Sequence, residues 1–156
     1  MAFSIRIIAF GRKGNRLHDE IEHYTRLIRP YASLTVDYLK PASAKGRSVA
    51  DQLSREEKLM TSRWPKTAYS VALSEQGKSF ASEAFARWVE RRQVSGRDMV
   101  LNIGSAHGLS ASLKKGCDEV ISLSRLTLSH GISLVVLVEQ HYRAFTILKG
   151  HPYHKN

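Results

Sequence analysis

Residues 121–145 read ISLSRLTLSHGISLVVLVEQHYRAF and form the longest mostly apolar stretch of the 156-residue chain. Its beginning, at residues 120–124, alternates apolar and polar side chains, which predicts a strand. The branched residues 132–138 favour a strand by propensity. However, the four residues Val135, Val138, Tyr142 and Phe145 follow one another at spacings of 3, 4 and 3 residues, which is typical of a helix. We therefore predict a helix that ends near Gly150 and Pro152.

Four further strands and four further helices are predicted before this stretch. The strands are apolar or alternating segments at residues 4–10, 34–38, 67–73 and 99–103. The helices are amphipathic segments near residues 17–28, 49–60, 82–89 and 110–115, with Ser82 and Ser110 as expected N-caps. Alternation of strands and helices predicts an α/β fold, with a mostly parallel sheet flanked by helices in a single domain over residues 1–156.

The composition indicates an anionic partner. The formal net charge is +10. Residues 1–63 and 64–156 each hold 12 Lys and Arg against 7 Asp and Glu, which favours a basic folded surface over a basic tail. Nucleic acid is the leading candidate, and a basic protein without a polyanionic partner is the alternative. One cysteine and no run of about 18 apolar residues predict a cytoplasmic protein without a membrane span.

Three loops follow predicted strands and are candidates for a ligand site. They are SEQGKS at residues 74–79, GSAHG at residues 104–108 and RLTLSHG at residues 125–131. Ligands bind at the carboxyl ends of parallel strands, and glycines allow a close backbone approach. The glycines match neither a GxGxxG nor a P-loop pattern, so structural turns remain an alternative. Together the loops indicate a nucleotide-like pocket.

The carboxyl-terminal region carries ionisable side chains whose roles the spacing leaves open. Glu139 and Arg143 lie four residues apart, so they form either a helical ion pair or a substrate-orienting pair. His151 and His154 have a spacing that can hold a metal, but no Cys or acidic residue lies at a matching ligand spacing. We therefore predict no metal site and interpret these histidines as part of a tail.

Four motifs together resemble one known family. They are LNIGSAHGLS, ISLSRLTLSH, VEQHYRAF and the terminal HPYHK. The chain resembles the SPOUT-class ribosomal RNA large-subunit methyltransferase H family, whose members methylate N(3) of a pseudouridine in 23S ribosomal RNA, in the helix 69 region of the assembled ribosome. The resemblance implies a deep carboxyl-terminal trefoil knot, with a knotted cofactor-binding region at about residues 70–156. It also implies a homodimer and S-adenosylmethionine as the methyl donor.

The resemblance also implies site residues. Cofactor contacts are expected at three strand ends, from Leu73, Gly104, Leu123, Ser124, Arg125, Leu126, Thr127 and Leu128. For catalysis, we expect Arg143 to stabilise the pseudouridine anion and Glu139 to orient Arg143. Tyr153 or His154 is expected to close the site and position the base. Two alternatives are a knotted ribosome-binding protein without turnover, and a nucleotide-binding enzyme acting on a small molecule.

Three positions depart from the usual pattern of this family. Ser105 replaces a common glycine and is expected to add a side chain beside the methionine moiety. Ser129 replaces a common proline and is expected to loosen the turn before His130. Leu134 stands where an arginine is usual, and we expect it to remove a cation that faced RNA or a partner subunit.

Overall fold

The structure is a computed structural model that describes residues 2–155. Within this range five strands alternate with five helices. The strands are β1 (Ser4–Phe10), β2 (Ser33–Leu39), β3 (Tyr69–Ser79), β4 (Met99–Asn102) and β5 (Glu119–Ser122). The helices are α1 (His18–Ile28), α2 (Val49–Thr61), α3 (Ser82–Val94), α4 (Ala111–Gly116) and α5 (His130–Leu148).

The strands form one sheet in the order β2-β1-β4-β3-β5, and each pairing is parallel. This confirms the predicted α/β class. Alternate residues of β1 enter different cores: Ile5 and Ile7 join the larger cluster, whereas Ile8 and Phe10 join the smaller one. The larger cluster also takes buried residues from α1, α3 and α5, and the smaller takes them from α2 and α4. Helices therefore cover both faces of the sheet.

Strand β3 differs from its prediction, because it continues to Ser79. Leu73 and Lys78 both pair with Ile121, so residues 74–77 leave the ladder and the strand then resumes. The polar segment SEQGKS predicted a plain loop, and that interpretation was wrong for its last residues. A Cβ at Gly77 would lie 2.7 Å from the backbone of Ile121, so glycine is required where the strands meet again.

Helix α5 confirms the helical interpretation of the opening stretch. Ser129 caps it, with its hydroxyl accepting from the Ile132 amide at 3.4 Å. The helix ends as predicted before Gly150, which has a φ of 68° and donates to the Ile147 carbonyl. Ser129 thus orders the start of α5 instead of only loosening a turn.

Two other expectations were wrong. Leu134 is 2 % exposed and lies in the larger core, so a side chain at this position is buried within the subunit and faces neither RNA nor a partner subunit. Ser82 is the first residue of α3 and not its cap. Its hydroxyl instead donates to the Gln140 side chain at 3.0 Å, which joins α3 to α5. Ser110, in contrast, does cap α4 by accepting from the Leu113 amide at 3.0 Å.

Candidate functional site

A cavity lies at the carboxyl edge of the sheet, and we call it the sheet-edge cavity. Its volume is about 260 Å³. Residues of β3 and its register shift, of the loop after β4, and of the segment from β5 into α5 line it. All the strands are parallel, so these three segments begin at the same edge and converge. The three loops predicted to form a pocket thus surround one cavity.

The loop after β4 closes into a tight turn at residues 105–108, the glycine turn. The Gly108 amide donates to the Ser105 carbonyl oxygen at 2.8 Å, and Gly108 has a φ of 77° that favours glycine. A Cβ on Gly104 would overlap the backbone of Gly108. Glycine at 104 therefore lets two backbone segments touch where the turn borders the cavity.

The structure brings together seven of the eight predicted cofactor-binding residues around this cavity. Arg125 is the exception, because it is exposed and does not line the cavity. Residues that the sequence analysis did not select also line the cavity. Each lies in a predicted loop or within two residues of one, so the positions of the loops could have identified them. The seven predicted residues are Leu73, Gly104, Leu123, Ser124, Leu126, Thr127 and Leu128; the additional ones include Ser74, Glu75, Ala106, His107, His130 and Ser133.

Ser105 lines the cavity, but its hydroxyl is directed to helix α2. It donates to the Glu56 carboxylate at 2.6 Å. Glu56 is only 2 % exposed, and its other oxygen accepts from the Ala42 amide at 3.1 Å. The departure at residue 105 therefore adds a hydrogen bond behind the glycine turn. Sequence reasoning missed Glu56, because it stands among charged residues that predict an exposed helix face.

A second group of side chains lies where α5 meets the carboxyl-terminal tail, and we call it the α5 network. It contains all four predicted catalytic residues. Arg143 donates to Glu139 Oε1 from Nη2 at 2.6 Å and from Nε at 3.0 Å. Tyr153 Oη donates to the same oxygen at 3.0 Å. Arg143 Nη1 approaches His154 Nδ1 at 3.1 Å, and its guanidinium lies 4.8 Å from the Tyr153 ring centroid.

These contacts fix the tautomer of His154. Arginine has no acceptor, so Arg143 Nη1 donates and His154 Nδ1 must be unprotonated. The proton of a neutral ring is then on Nε2, which donates to Glu83 Oε1 of α3 at 3.0 Å. The hydrogen bond from His154 lowers the pKa of Glu83. The tail is thus held against both α3 and α5.

The network raises the pKa values of Tyr153 and Arg143. Burial, with hydrogen bonds involving Tyr24 and Glu139, raises the pKa of Tyr153 well above its ordinary value, so the phenol stays protonated and serves as a donor. Hydrogen bonds to Glu139 raise the pKa of Arg143. Glu139 Oε2 also accepts from Gln140 at 2.7 Å. These donors hold the carboxylate in place, and the carboxylate in turn orients the arginine.

The cavity and the α5 network are distinct regions of the described subunit. Among residues 2–155, none of the four network residues predicted as catalytic lines the cavity. Helix α5 connects the regions, because His130 and Ser133 line the cavity whereas Glu139 and Arg143 lie further along the same helix.

No helix within residues 2–155 is both long and apolar enough to cross a membrane. Over the same range no three His, Cys, Asp or Glu side chains are grouped as metal ligands. His154 instead contacts Arg143 and Glu83, and His151 Nδ1 accepts from the Tyr153 amide at 3.2 Å.

The fold and the cavity define an α/β protein with a ligand pocket at the carboxyl edge of a parallel sheet. Comparison with known proteins identifies the family within this broad class. The family model described as a predicted SPOUT methyltransferase matches residues 3–154. Among solved structures, the tRNA (m1G37) methyltransferase from Aquifex aeolicus has a TM-score of 0.56 at 12 % identity, covering 99 % of this chain and 74 % of that one. This second likeness concerns the fold alone.

Curated relatives extend over nearly the whole chain. Ribosomal RNA large subunit methyltransferase H from Anaeromyxobacter sp. (strain Fw109-5) is 36 % identical, covering 97 % of this chain and 99 % of the relative. The proteins of the same name from Chromobacterium violaceum and Thermotoga neapolitana are 36 % and 31 % identical, with coverage of 96 % or more on both sides. The chain therefore belongs to the ribosomal RNA large subunit methyltransferase H family of SPOUT methyltransferases, as its motifs predicted.

Proposed function

We propose that this protein is an S-adenosylmethionine-dependent methyltransferase that modifies N(3) of a pseudouridine in 23S ribosomal RNA. The expected target lies in the helix 69 region of the assembled ribosome, in the cytoplasm, with residues 1–156 acting as one domain. The observation that carries the proposal is the sheet-edge cavity, where seven residues expected to hold the cofactor converge. The net charge of +10 supports a polyanionic substrate.

The proposed ligand has an adenine, a ribose and a charged amino-acid end, and we place it in the sheet-edge cavity. Leu123, Leu126 and Leu128 line the cavity and offer apolar surface for the adenine ring. The glycine turn admits a ligand close to the main chain. The cofactor supplies a methyl group on a sulfonium centre. Arg125, which is exposed beside the cavity, remains a proposed contact that a local rearrangement would bring to the ligand.

The α5 network provides a cation for the substrate base. N(3) of a pseudouridine carries a proton that must leave as the nitrogen attacks a methyl group, and a fixed cation favours the resulting anion. Three of the five N–H bonds of Arg143 are used within the described network, which leaves two for a substrate. Glu139 fixes the guanidinium plane, and the protonated Tyr153 supports Glu139.

The reaction also needs a base that accepts the proton leaving N(3). His154 is our candidate to close the site and position that base. Its Nδ1 lone pair faces Arg143 in this arrangement. Release of that contact when RNA binds would expose the lone pair and free another Arg143 N–H bond. The two events are coupled, so the tail and the cation would engage the substrate together.

We also propose a homodimer with a deep trefoil knot over about residues 70–156 in each subunit. Leu126 and Ile132 are 75 % and 43 % exposed in the subunit, and burial of this apolar surface against a second copy of the chain would favour a dimer. Because the cavity and the α5 network do not share lining residues within a subunit, a dimer is the simplest arrangement that joins them. The RNA site would then span both subunits.

The test uses ribosomes from cells that lack this protein. Purified protein and S-adenosylmethionine are added, and mass spectrometry then measures methylation of the pseudouridines in helix 69. We expect one methyl group at N(3) of one pseudouridine, with free 23S RNA modified poorly. Binding of ribosomes without methyl transfer would instead favour a knotted RNA-binding protein without turnover. Failure to bind S-adenosylmethionine in calorimetry would reject the proposal.

A further inference from the structure

Glu56 of α2 is a buried carboxylate with an unusual pair of partners. One oxygen accepts from the Ser105 hydroxyl at 2.6 Å and the other from the Ala42 amide at 3.1 Å. Among the described residues no Lys, Arg or His forms an ion pair with it. A buried charge is costly unless hydrogen bonds compensate it, so these two bonds account for its burial at 2 % exposure.

The Ser105 bond acts on the wall of the sheet-edge cavity. Ser105 begins the glycine turn, whose closing hydrogen bond joins the Ser105 carbonyl oxygen to the Gly108 amide. Gly104 and Gly108 are in direct backbone contact, so the turn has little side-chain packing of its own to hold it. The Glu56 carboxylate therefore supplies an anchor from a regular helix to a loop that otherwise depends on main-chain contacts.

The Ala42 bond acts on a different segment. Ala42 belongs to the loop at residues 41–47, whose basic side chains Lys45 and Arg47 are exposed. Hydrogen bonds to the Glu56 carboxylate thus hold both this basic loop and the glycine turn against helix α2. Removal of Glu56 releases both loops, whereas removal of the Ser105 hydroxyl releases only the turn.

We infer that Glu56 is a positioning residue that, through Ser105, keeps the glycine turn in its cofactor-binding arrangement. The inference rests on the proposed binding of S-adenosylmethionine in this cavity. A turn without its anchor spends part of its time in other arrangements. The apparent dissociation constant of the cofactor then equals the intrinsic constant divided by the fraction of molecules whose turn is in the binding arrangement. The effect belongs to cofactor binding and not to the methyl transfer step.

The test compares Ser105→Ala, Glu56→Ala and the double variant by calorimetry with S-adenosylmethionine. We expect Ser105→Ala to raise the dissociation constant about tenfold, the scale of one hydrogen bond to a charged group. Glu56→Ala should raise it similarly, and the double variant should bind no more weakly than Glu56→Ala, since both changes break one interaction. Glu56→Gln should have a smaller effect, about threefold, because the amide can still bond to both partners without the charge.

Glu57→Ala is the matched control, because it removes the same charge one residue along α2 and should leave the dissociation constant within about twofold of the unaltered protein. With saturating cofactor, kcat of Ser105→Ala should also stay within about twofold, which a general structural defect would not allow.

Should Glu56→Ala fail to fold, the Ser105→Ala variant alone decides the test, since it removes a single oxygen atom. Equal cofactor affinity in Ser105→Ala and the unaltered protein overturns this inference only. No cofactor binding by the unaltered protein overturns the proposed function as well.

Discussion

The sheet-edge cavity and the α5 network use different chemical groups. The cavity is formed by loops whose path depends on glycine and on main-chain contacts, as at Gly104 and Gly108. The network is formed by charged and aromatic side chains that meet at a single Glu139 oxygen. Loops of this kind tolerate many side-chain changes, provided that the backbone path is kept. A network of side chains loses its geometry when one member changes, so the two regions should respond differently to substitution.

The largest effect is expected from Arg143→Ala. Loss of a fixed cation beside a developing anion typically lowers kcat by about 10² to 10³-fold. Methyl transfer to ribosomes measures this, and calorimetry with S-adenosylmethionine should show cofactor binding within about twofold of normal. Arg143→Lys is the control for charge: it keeps the cation but loses the two-pronged contact with Glu139, so its kcat should lie in between. A large loss of cofactor binding in Arg143→Ala would mean that the regions are not separate.

The second prediction concerns unfolding at low pH. It helps to distinguish activity lost through changes in the cavity or the α5 network from activity lost because the protein unfolds. His141 of α5 is fully buried, and burial lowers its pKa to about 4 from an ordinary value of 6.5. Its Nδ1 contacts the Leu137 carbonyl, and its Nε2 has no partner among the described residues. Between pH 6.5 and 4 the unfolded chain binds a proton that the folded chain does not. Acidification through this window should therefore lower the free energy of unfolding by about 3 kcal/mol.

Chemical denaturation at several pH values measures this dependence. In His141→Leu the contribution from this residue should disappear, whatever the change in stability at neutral pH. A slope with pH that is the same in the variant and the unaltered protein would contradict the assignment. If activity falls on acidification while the fold remains intact, the cause of that fall must lie in the α5 network or the cavity.

The third prediction concerns the cavity. Gly104→Ala places a Cβ against the Gly108 backbone, and relief of such an overlap typically costs about 1–3 kcal/mol. The glycine turn must shift, so we expect the dissociation constant of S-adenosylmethionine to rise roughly 30-fold, which corresponds to about 2 kcal/mol. Gly116→Ala is the matched control, since a Cβ there meets no atom within 4 Å. Lower kcat at saturating cofactor in Gly104→Ala would show that the turn also contributes to the transfer step.

The same contrast explains which parts of the site the sequence could predict. Cavity loops follow strands in chain order, so strand periodicity and glycines predicted the three loops that surround the cavity. The individual cofactor-binding residues, of which seven of eight line the cavity, were predicted from the family resemblance. Residues such as Glu139 and Arg143 were predictable as a pair from their helical spacing. Glu56 was not, because its partners Ala42 and Ser105 are 14 and 49 residues away and no local pattern joins them. The continuation of β3 to Ser79 could not be predicted from the sequence either, because pairing with β5 resumes only after four residues have left the ladder.

The smallest effect is expected from Tyr153→Phe, and it separates two roles for the tail. The structure makes Tyr153 a protonated donor to Glu139 at 3.0 Å, with a raised pKa that prevents it from serving as a base near neutral pH. Removal of the hydroxyl leaves both Arg143 contacts to Glu139 in place, so kcat should fall only about fivefold, the scale of one net hydrogen bond. The ring remains beneath the guanidinium, and cofactor affinity should be unchanged. His154→Gln, which replaces the ring, should lower kcat more strongly if the base depends on that residue. A fall of a hundredfold or more in Tyr153→Phe would instead make the phenol part of the proton transfer, and the α5 network would then include its base within one subunit.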